Sequence, residues 1–234
     1  MKKTLSGLSK KEETRHFIFA IILLTLIFSL SNPSKTLSVF IVVALIYLVN
    51  TLGYKIAANY FNTEASFKIW GVKPFQKGNL RNQTKSFFNG PIIAILFYIV
   101  SAGQIFFTAI STFKIEKEKR LGREFPHVTE YETAIIGTLG LLFVLILVLI
   151  FNLLSVKIGV TIGAWFILFN LLPLSDIVGA KIWIGSRTLY VIMAVLILTT
   201  LFLLNINNIA AIVILALLTA SLVGIIYYYF IEYK

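Results

Sequence analysis

The stretch FNLLPLSDIVGAKI, residues 169–182, places polar groups inside a long apolar run. It contains Asn170, Pro173 and Asp176, which is the only aspartate of the chain. Polar atoms are expensive in hydrocarbon, so a membrane protein that keeps them there uses them for function or for packing between helices. The residue types alone leave both interpretations open.

A second polar group, Asn50, Thr51 and Tyr54, lies in an earlier apolar run. Asn50 and Tyr54 are four residues apart and therefore share one helix face, the spacing by which H-E-x-x-H places two zinc ligands and a general base. No familiar hydrolytic site is complete, however. A serine route needs a histidine on a span, whereas His16 precedes the first span and His127 lies in a loop. An aspartyl route needs two carboxylates that share a proton, and the spans hold one.

Composition indicates a membrane protein. Of the 234 residues, 58% are hydrophobic and 13% are charged, whereas a soluble domain has about a quarter of its residues charged. There is no cysteine, which excludes disulfides and thiolate metal sites. The net charge of +11 comes from short loops, where anionic lipid headgroups attract Lys and Arg. We find no basic helix face typical of nucleic-acid binding, so the expected partner is the lipid bilayer and not nucleic acid.

Seven apolar runs are candidates for membrane spans, and most of them approach the roughly 20 residues that a spanning helix needs, although the first is short. They cover residues 17–30, 37–60, 91–113, 133–154, 156–174, 188–204 and 209–230. If run 91–113 enters and returns on one side, turning at residues 101–104, 19 of the 21 Lys and Arg face the cytoplasm. The positive-inside rule favours that arrangement. We therefore predict six crossings, a cytoplasmic N-terminus and one re-entrant hairpin.

Three segments together resemble the site-2 protease family, the intramembrane zinc metalloproteases, in their archaeal form. LVNTLGYKIAANYFNTEASFKIW (48–70) resembles the zinc helix and the extended segment after it, and GREFPHVTEYETAIIGTLG (122–140) the approach to the second core helix. Residues 169–182 resemble the third-core-helix motif, N-x-x-P. The resemblance implies an all-α polytopic membrane protein of about six transmembrane helices, with a re-entrant hairpin and a short β segment. It also implies an integral protein of a prokaryotic, archaeal-type cell membrane.

The same resemblance suggests a division of the chain. We expect a cytoplasmic N-terminus and first span (1–36), a site-2-protease-like membrane core (37–187) and two C-terminal spans (188–234).

Carrying the family's residues over one by one leaves its catalytic positions without their chemistry. The two zinc histidines fall on Asn50 and Tyr54, the catalytic glutamate on Thr51, and the third ligand, an aspartate, on Val178. The family's G-P-x-x-N falls on residues 137–141, which lack its proline and asparagine. The scaffold positions that survive are Asn170, Pro173, Gly179 and Lys181. We expect the Asn170 amide to hydrogen-bond across helices, and we expect Pro173 to free a backbone carbonyl one turn earlier in the helix.

These replacements predict a pseudoprotease. Catalytic zinc sites use imidazole nitrogen and carboxylate oxygen, and without the metal a water keeps a pKa too high for nucleophilic attack. Thr51 cannot replace a carboxylate as general base. We therefore expect no metal site and no cofactor, although zinc is expected for the family.

A catalytically inactive relative could still bind transmembrane protein clients. An extended client can pair with a strand edge, and residues 65–70 alternate as such a strand does. The possible client-binding residues are Ser66, Lys68 and Asp176. For Asp176 the alternative is a helix-end role, paired with Lys181 or Arg187.

Two other functions remain open from the sequence. One is an active intramembrane zinc metalloendopeptidase with an atypical site. The other is a transporter or channel, suggested by four asparagines near span ends: Asn152, Asn205, Asn207 and Asn208. The last three of these also suit a polar turn between the last two spans.

Overall fold

The computed structural model describes residues 10–30, 33–71, 89–118, 128–204, 206 and 208–232. Within these residues the chain forms eight α-helices and one two-stranded sheet. A 3₁₀ turn, Pro33–Lys35, precedes α2, and a π-helical turn, Tyr228–Glu232, follows α8. The elements are α1 Lys10–Ser29, α2 Thr36–Tyr60, β1 Thr63–Ile69, α3 Asn89–Val100, β2 Ser111–Glu118, α4 Glu130–Leu153, α5 Lys157–Leu171, α6 Val178–Gly185, α7 Arg187–Leu203 and α8 Ile209–Tyr227.

Three stretches are long and apolar enough to cross a membrane: Pro33–Tyr60, Glu130–Leu153 and Ile209–Phe230. Three further apolar helices are shorter, and they correspond to α3, α5 and α7. The predicted membrane protein is therefore supported, together with the mostly helical fold and the small sheet.

Local signals explain where several helices begin. Thr129 accepts a hydrogen bond from the Glu132 amide, and the Glu132 carboxylate accepts one from the Thr129 amide. This reciprocal capping box satisfies two backbone donors that a helix start otherwise leaves unpaired. Ser186 caps α7 and Asn208 caps α8 through their side-chain oxygens.

The end of α5 corrects one sequence expectation. Run 156–174 was expected to continue as a helix past Pro173, with the proline freeing a backbone carbonyl inside it. Instead α5 ends at Leu171, because the residue before a proline is disfavoured in the helical region. Pro173 therefore lies in the loop between α5 and α6, where it marks the end of the helix.

The segment after β1 forms the hairpin. After α3 the chain turns at residues 101–104, where Ala102 and Gly103 have positive φ values of 50° and 78°. The predicted turn is confirmed, and the return limb is extended. Its base closes because the Trp70 amide donates to the Ile110 carbonyl and the Gly90 amide donates to the Trp70 carbonyl, at 2.8 and 3.2 Å. The hairpin therefore returns to the place where it began.

The predicted strand is also present. β1 pairs antiparallel with β2, with Phe67 opposite Phe113 and Lys68 opposite Thr112. Both phenylalanines are buried, and the Phe67 ring packs edge-to-face against Tyr47 of α2. The sheet is thus held against the helices by aromatic side chains on one face.

The helical core is centred on α4, which packs against α2, α5, α6 and α7. The α2–α4 contact is close because Gly53 faces α4: a Cβ there would lie 2.8 Å from the Leu139 carbonyl oxygen. α1 packs on α2 and β1, and α8 packs on α7. This arrangement brings the end of α2, the sheet and the start of α6 to one side of α4.

Candidate functional site

Three of the four family-derived positions meet along one face of α4. A Cβ on Gly140 would lie 2.9 Å from Asn50 Oδ1 and 3.6 Å from Tyr54 Cδ1, and a Cβ on Gly137 would lie 3.0 Å from Val178 Cγ1. Gly137 and Gly140 are three residues apart and so share a helix face. Residues far apart in sequence are therefore brought to adjacent positions against this face.

The space between these positions is filled by an aromatic ring. Phe113 of β2 stacks on Tyr54, with ring centroids 5.7 Å apart, and its Cε1 would lie 3.3 Å from a Cβ on Gly137. Phe113 and Tyr54 are 1% and 2% exposed, and Asn50 and Val178 are 5% exposed. We call Asn50, Tyr54, Phe113 and Val178 the packed cluster.

The hydroxyl groups beside the packed cluster are satisfied internally. Thr51 Oγ1 donates to the Tyr47 carbonyl of its own helix at 2.7 Å, and the Tyr54 hydroxyl donates to Thr51 Oγ1 at 3.1 Å. Thr51 thus bonds one helical turn back, as threonines in helices commonly do. The Thr51 hydroxyl is therefore bonded to groups of its own helix.

The donors at these positions do not fit zinc. Catalytic zinc takes imidazole or carboxylate ligands, whereas the packed cluster offers a neutral amide, a phenol and a branched alkyl group. Within the described parts of the chain, no three His, Cys, Asp or Glu side chains lie close enough to hold one metal ion. His127 lies outside the described residues.

A charged group lies beside the packed cluster, on Lys181 of α6. Its Nζ donates to Thr112 Oγ1 at 2.8 Å and to the Phe113 carbonyl, and it forms an ion pair with Asp176 Oδ1 at 3.1 Å. Nζ also lies 4.5 Å from the centroid of the Phe113 ring. The structure therefore pairs Asp176 with one of the two partners expected from the sequence.

Two opposing effects act on this lysine. Burial lowers the pKa of Lys181 because the ammonium loses water, and the Asp176 carboxylate works in the opposite direction. Asp176 is half exposed, and the Thr112 hydroxyl and the Phe113 carbonyl accept further hydrogen bonds from the ammonium. Lys181 thus ties the start of α6 to the outer edge of β2.

A cavity of about 250 Å³ opens next to this lysine. Its polar lining includes Lys68 and Lys114, which belong to the two paired strands, together with Asp176 and Lys181. We call these four residues the charged cluster. Two of the three predicted client-binding residues, Lys68 and Asp176, line this cavity. The third, Ser66, is 5% exposed and donates to the Lys114 carbonyl at 3.4 Å.

The outer edge of β1 has a partner that the sequence analysis missed. The Phe67 amide donates to Glu13 Oε1 at 3.2 Å, and the same carboxylate forms an ion pair with Lys55 at 2.7 Å. Glu13 is an acid among basic residues at the start of the chain, and this contrast is the only signal that could have drawn attention to it. Glu13 and its partner Phe67 are 54 residues apart in the sequence, and hydropathy and charge patterns do not predict contacts over such a separation.

The scaffold residues have packing roles. Asn170 Nδ2 donates to the Phe166 carbonyl of its own helix at 2.9 Å, so the expected hydrogen bond across helices is wrong. Among the described residues, Asn170 Oδ1 is buried without a partner. Gly179 is required by contact, because a Cβ there would lie 2.0 Å from the Leu171 carbonyl oxygen. The first turn of α6 can therefore lie directly on the end of α5.

Two of the asparagines that suggested transport, Asn152 and Asn208, lie at helix ends away from the packed cluster. Asn152 Nδ2 donates to the Leu204 carbonyl at 3.3 Å, which joins the end of α4 to the end of α7. Asn208 caps α8. Asn205 and Asn207 lie outside the described residues. The two that can be placed are thus used at helix ends.

Comparison with known proteins identifies no relative: no family model, curated protein or solved structure matches the chain. The site-2 protease resemblance therefore rests on the three quoted sequence segments.

Proposed function

We propose that this protein is a pseudoprotease: a catalytically inactive homologue of the site-2 proteases that binds transmembrane clients without cutting them. The observation that carries the proposal is the meeting of Asn50, Tyr54 and Val178 on one face of α4, with Phe113 packed between them. These positions are separated by up to 128 residues in the sequence, and their convergence on one helix supports the proposed relationship. The residues there lack both ligands and base, so hydrolysis by the family route is lost.

The proposed topology has six crossings, a cytoplasmic N-terminus and a re-entrant hairpin in a prokaryotic, archaeal-type cell membrane. Contacts between segments assigned to the cytoplasmic side support it. Glu13 reaches both Lys55 and Phe67, and Lys181 reaches Phe113. The hairpin base, where Gly90 lies against Ile110, fits a segment that enters and leaves on one side. Extended backbone at membrane depth is acceptable where other protein buries it.

Clients bind, in this proposal, as an extended segment added to the outer edge of β1. Strand addition supplies affinity through main-chain hydrogen bonds. Alternate amides of an antiparallel strand face away from its partner, and the Phe67–Glu13 bond shows that Phe67 belongs to that set. Ala65 and Ile69 share its direction. Lys68 and Asp176, at the nearby cavity, are the polar groups that contact the client's flanking residues.

Rebuilding the ligands tests the family relationship. A variant carrying Asn50→His, Thr51→Glu, Tyr54→His and Val178→Asp should bind about one zinc per chain, measured as metal content after purification. A second version adds Phe113→Ala to open space. The matched control places the histidines on the exposed face of the same helix, as Leu52→His and Ile56→His with Val178→Asp. It should bind no more zinc than wild type.

Two outcomes would overturn the proposal. Stoichiometric zinc in the wild-type protein, or cleavage of a single-span substrate that Asp176→Ala abolishes, would establish the active metalloendopeptidase instead. If both rebuilt variants fold but bind no more zinc than the control, the convergence on α4 is not a protease site.

Client binding needs its own measurement. A photoreactive amino acid at Glu64, an exposed position of β1, should crosslink a single-span client peptide in liposomes, whereas the same group at the exposed Leu217 of α8 should not. Equal crosslinking at both positions would mean that the peptide meets the protein only by random contact in the bilayer. Ion flux in the same liposomes would favour the transporter.

A further inference from the structure

The first turns of α1 carry a feature that the proposed function does not use. Lys10, Lys11, Thr14 and Arg15 line a surface depression of about 340 Å³. Lys11 and Arg15 are four residues apart, so they share one helix face, and both are exposed. Three cations thus lie within six residues at the polar end of an otherwise apolar helix.

A second cavity, of about 450 Å³, adjoins this depression and shares Arg15 with it. It lies between α1 and the end of β1, where Phe19 and Ile69 provide apolar surface. Its volume is within the range of small-ligand sites. Glu12 and His16 complete the lining. A basic depression and a partly apolar cavity therefore meet at one arginine.

The exposed face of α1 continues this arrangement away from the cations. Ile18, Ile22 and Leu26 are each about half exposed, and their spacing of four residues places them on one helix face. A phospholipid has the same order of parts, an anionic phosphate followed by apolar chains. The other acid of the first turn, Glu13, is already bonded to Lys55 and Phe67, so it does not oppose an anion here.

We propose that the start of α1 is a binding site for one anionic phospholipid. The phosphate contacts Lys10, Lys11 and Arg15, and one acyl chain enters the cavity between Phe19 and Ile69. Basic pockets beside membrane helices recognise anionic headgroups in this way. Each cation near an anionic headgroup is expected to raise the affinity roughly fivefold. The basic end of the site selects for the anionic phosphate, and the apolar cavity selects for an acyl chain.

The test uses the full chain purified in a neutral detergent, titrated with phosphatidylglycerol or phosphatidylcholine of identical acyl chains. Bound lipid is counted by native mass spectrometry. Wild type should retain phosphatidylglycerol with clear preference. The triple variant Lys10→Gln, Lys11→Gln, Arg15→Gln should lose affinity for phosphatidylglycerol by about a hundredfold and leave phosphatidylcholine binding unchanged. The control Lys35→Gln, Lys157→Gln, which removes exposed cations elsewhere, should behave as wild type.

Two further arms separate the lipid from its headgroup. Phe19→Ala should weaken phosphatidylglycerol binding, and soluble glycerol phosphate should compete poorly because it has no chain for the cavity. Full competition by glycerol phosphate would replace the lipid with a simple phosphate site. Equal binding of the two lipids by wild type, or an unchanged preference in the triple variant, would overturn the proposal. If the triple variant fails to fold, Arg15→Gln alone, which changes both cavities, gives the same decision.

Discussion

The packed cluster and the charged cluster lie side by side but have opposite character. In the packed cluster Tyr54 and Phe113 stack, and every member is at most 5% exposed. In the charged cluster Lys68 and Asp176 line a cavity, and Asp176 is half exposed. The proposed relationship to the site-2 proteases places the catalytic positions where this chain has tightly packed side chains. The charged cluster lies next to the packed cluster, beside the two-stranded sheet.

One loop and one ring connect the two clusters. Asp176 and Val178 are two residues apart, one on each side of the start of α6. Phe113 contributes its ring to the packed cluster and its carbonyl to Lys181. In the proposed pseudoprotease, the loss of a metal site has left no void at these positions. Aromatic and alkyl groups fill the volume, and dispersion contacts stabilise a region that ligand bonds would otherwise hold.

The largest effect is expected from Gly179→Ala, which both clusters depend on for the position of α6. The added Cβ would lie 2.0 Å from the Leu171 carbonyl oxygen and 2.7 Å from that of Leu172. A backbone carbonyl cannot relieve the clash by changing rotamer, as a side chain can. We therefore expect the free energy of unfolding to fall by about 3 kcal/mol or more. Unfolding in mixed detergent micelles measures it. A variant as stable as wild type would show that the α5–α6 contact is looser than described.

Lys181→Met should have the next largest effect, because it keeps the chain length but removes the ammonium. The Thr112 hydroxyl and the Phe113 carbonyl both lose a charged donor, and hydrogen bonds to charged groups contribute about 1.5–3 kcal/mol each. We expect a net loss of about 2–3 kcal/mol.

Asp176→Asn is the matched comparison for Lys181→Met. It should cost less than about 1 kcal/mol, since the carboxylate is half exposed and solvent screens the ion pair. The same unfolding assay ranks the two variants. Equal losses would mean that the ion pair, and not the β2 acceptors, holds α6 in place.

A size swap tests the packed cluster directly. Gly137→Ala brings a Cβ to 3.0 Å from Val178 Cγ1, and Val178→Ala removes that methyl group. Each single change should cost about 1–2 kcal/mol, from overpacking or from lost burial. The double variant should cost at least about 0.5 kcal/mol less than the sum, because residues in contact are coupled. Strict additivity would separate Val178 from the face of α4 and weaken the proposed convergence.

Sequence reasoning predicted the elements better than their contacts. Hydropathy, charge and the small residues near Gly103 were enough to predict membrane helices and a turn near residue 103. The alternation of residues 65–70 predicted the strand that corresponds to β1. Asn50 and Tyr54 could be placed on one face because the helical period is local. The stacking of Phe113 on Tyr54 could not be foreseen, since it joins residues 59 apart through a sheet register that the pattern does not specify.

The scaffold motif shows the same limit. The N-x-x-P motif drew attention to Pro173, but the helix ends two residues earlier, at Leu171. That boundary depends on backbone sterics before the proline, and a continuous apolar run gives no sign of it. Asn170 was expected to bond across helices and instead bonds within its own helix. Which carbonyl a buried amide reaches is decided by rotamer and by neighbouring packing, and neither can be read from the chain alone.

The variant most informative for client binding should be Glu13→Ala. The change removes the acceptor of the Phe67 amide and the ion pair to Lys55. The exposed ion pair contributes little, but Phe67 is buried and a buried donor left unpaired costs about 1–3 kcal/mol, so we expect a loss of stability in that range. The change also frees an outward amide on β1, so crosslinking of a client peptide from Glu64 should increase several-fold. Glu13→Gln keeps an acceptor oxygen and should leave crosslinking near the wild-type level. If crosslinking falls in Glu13→Ala, clients use the carboxylate itself, and the outer edge of β1 is not where they add.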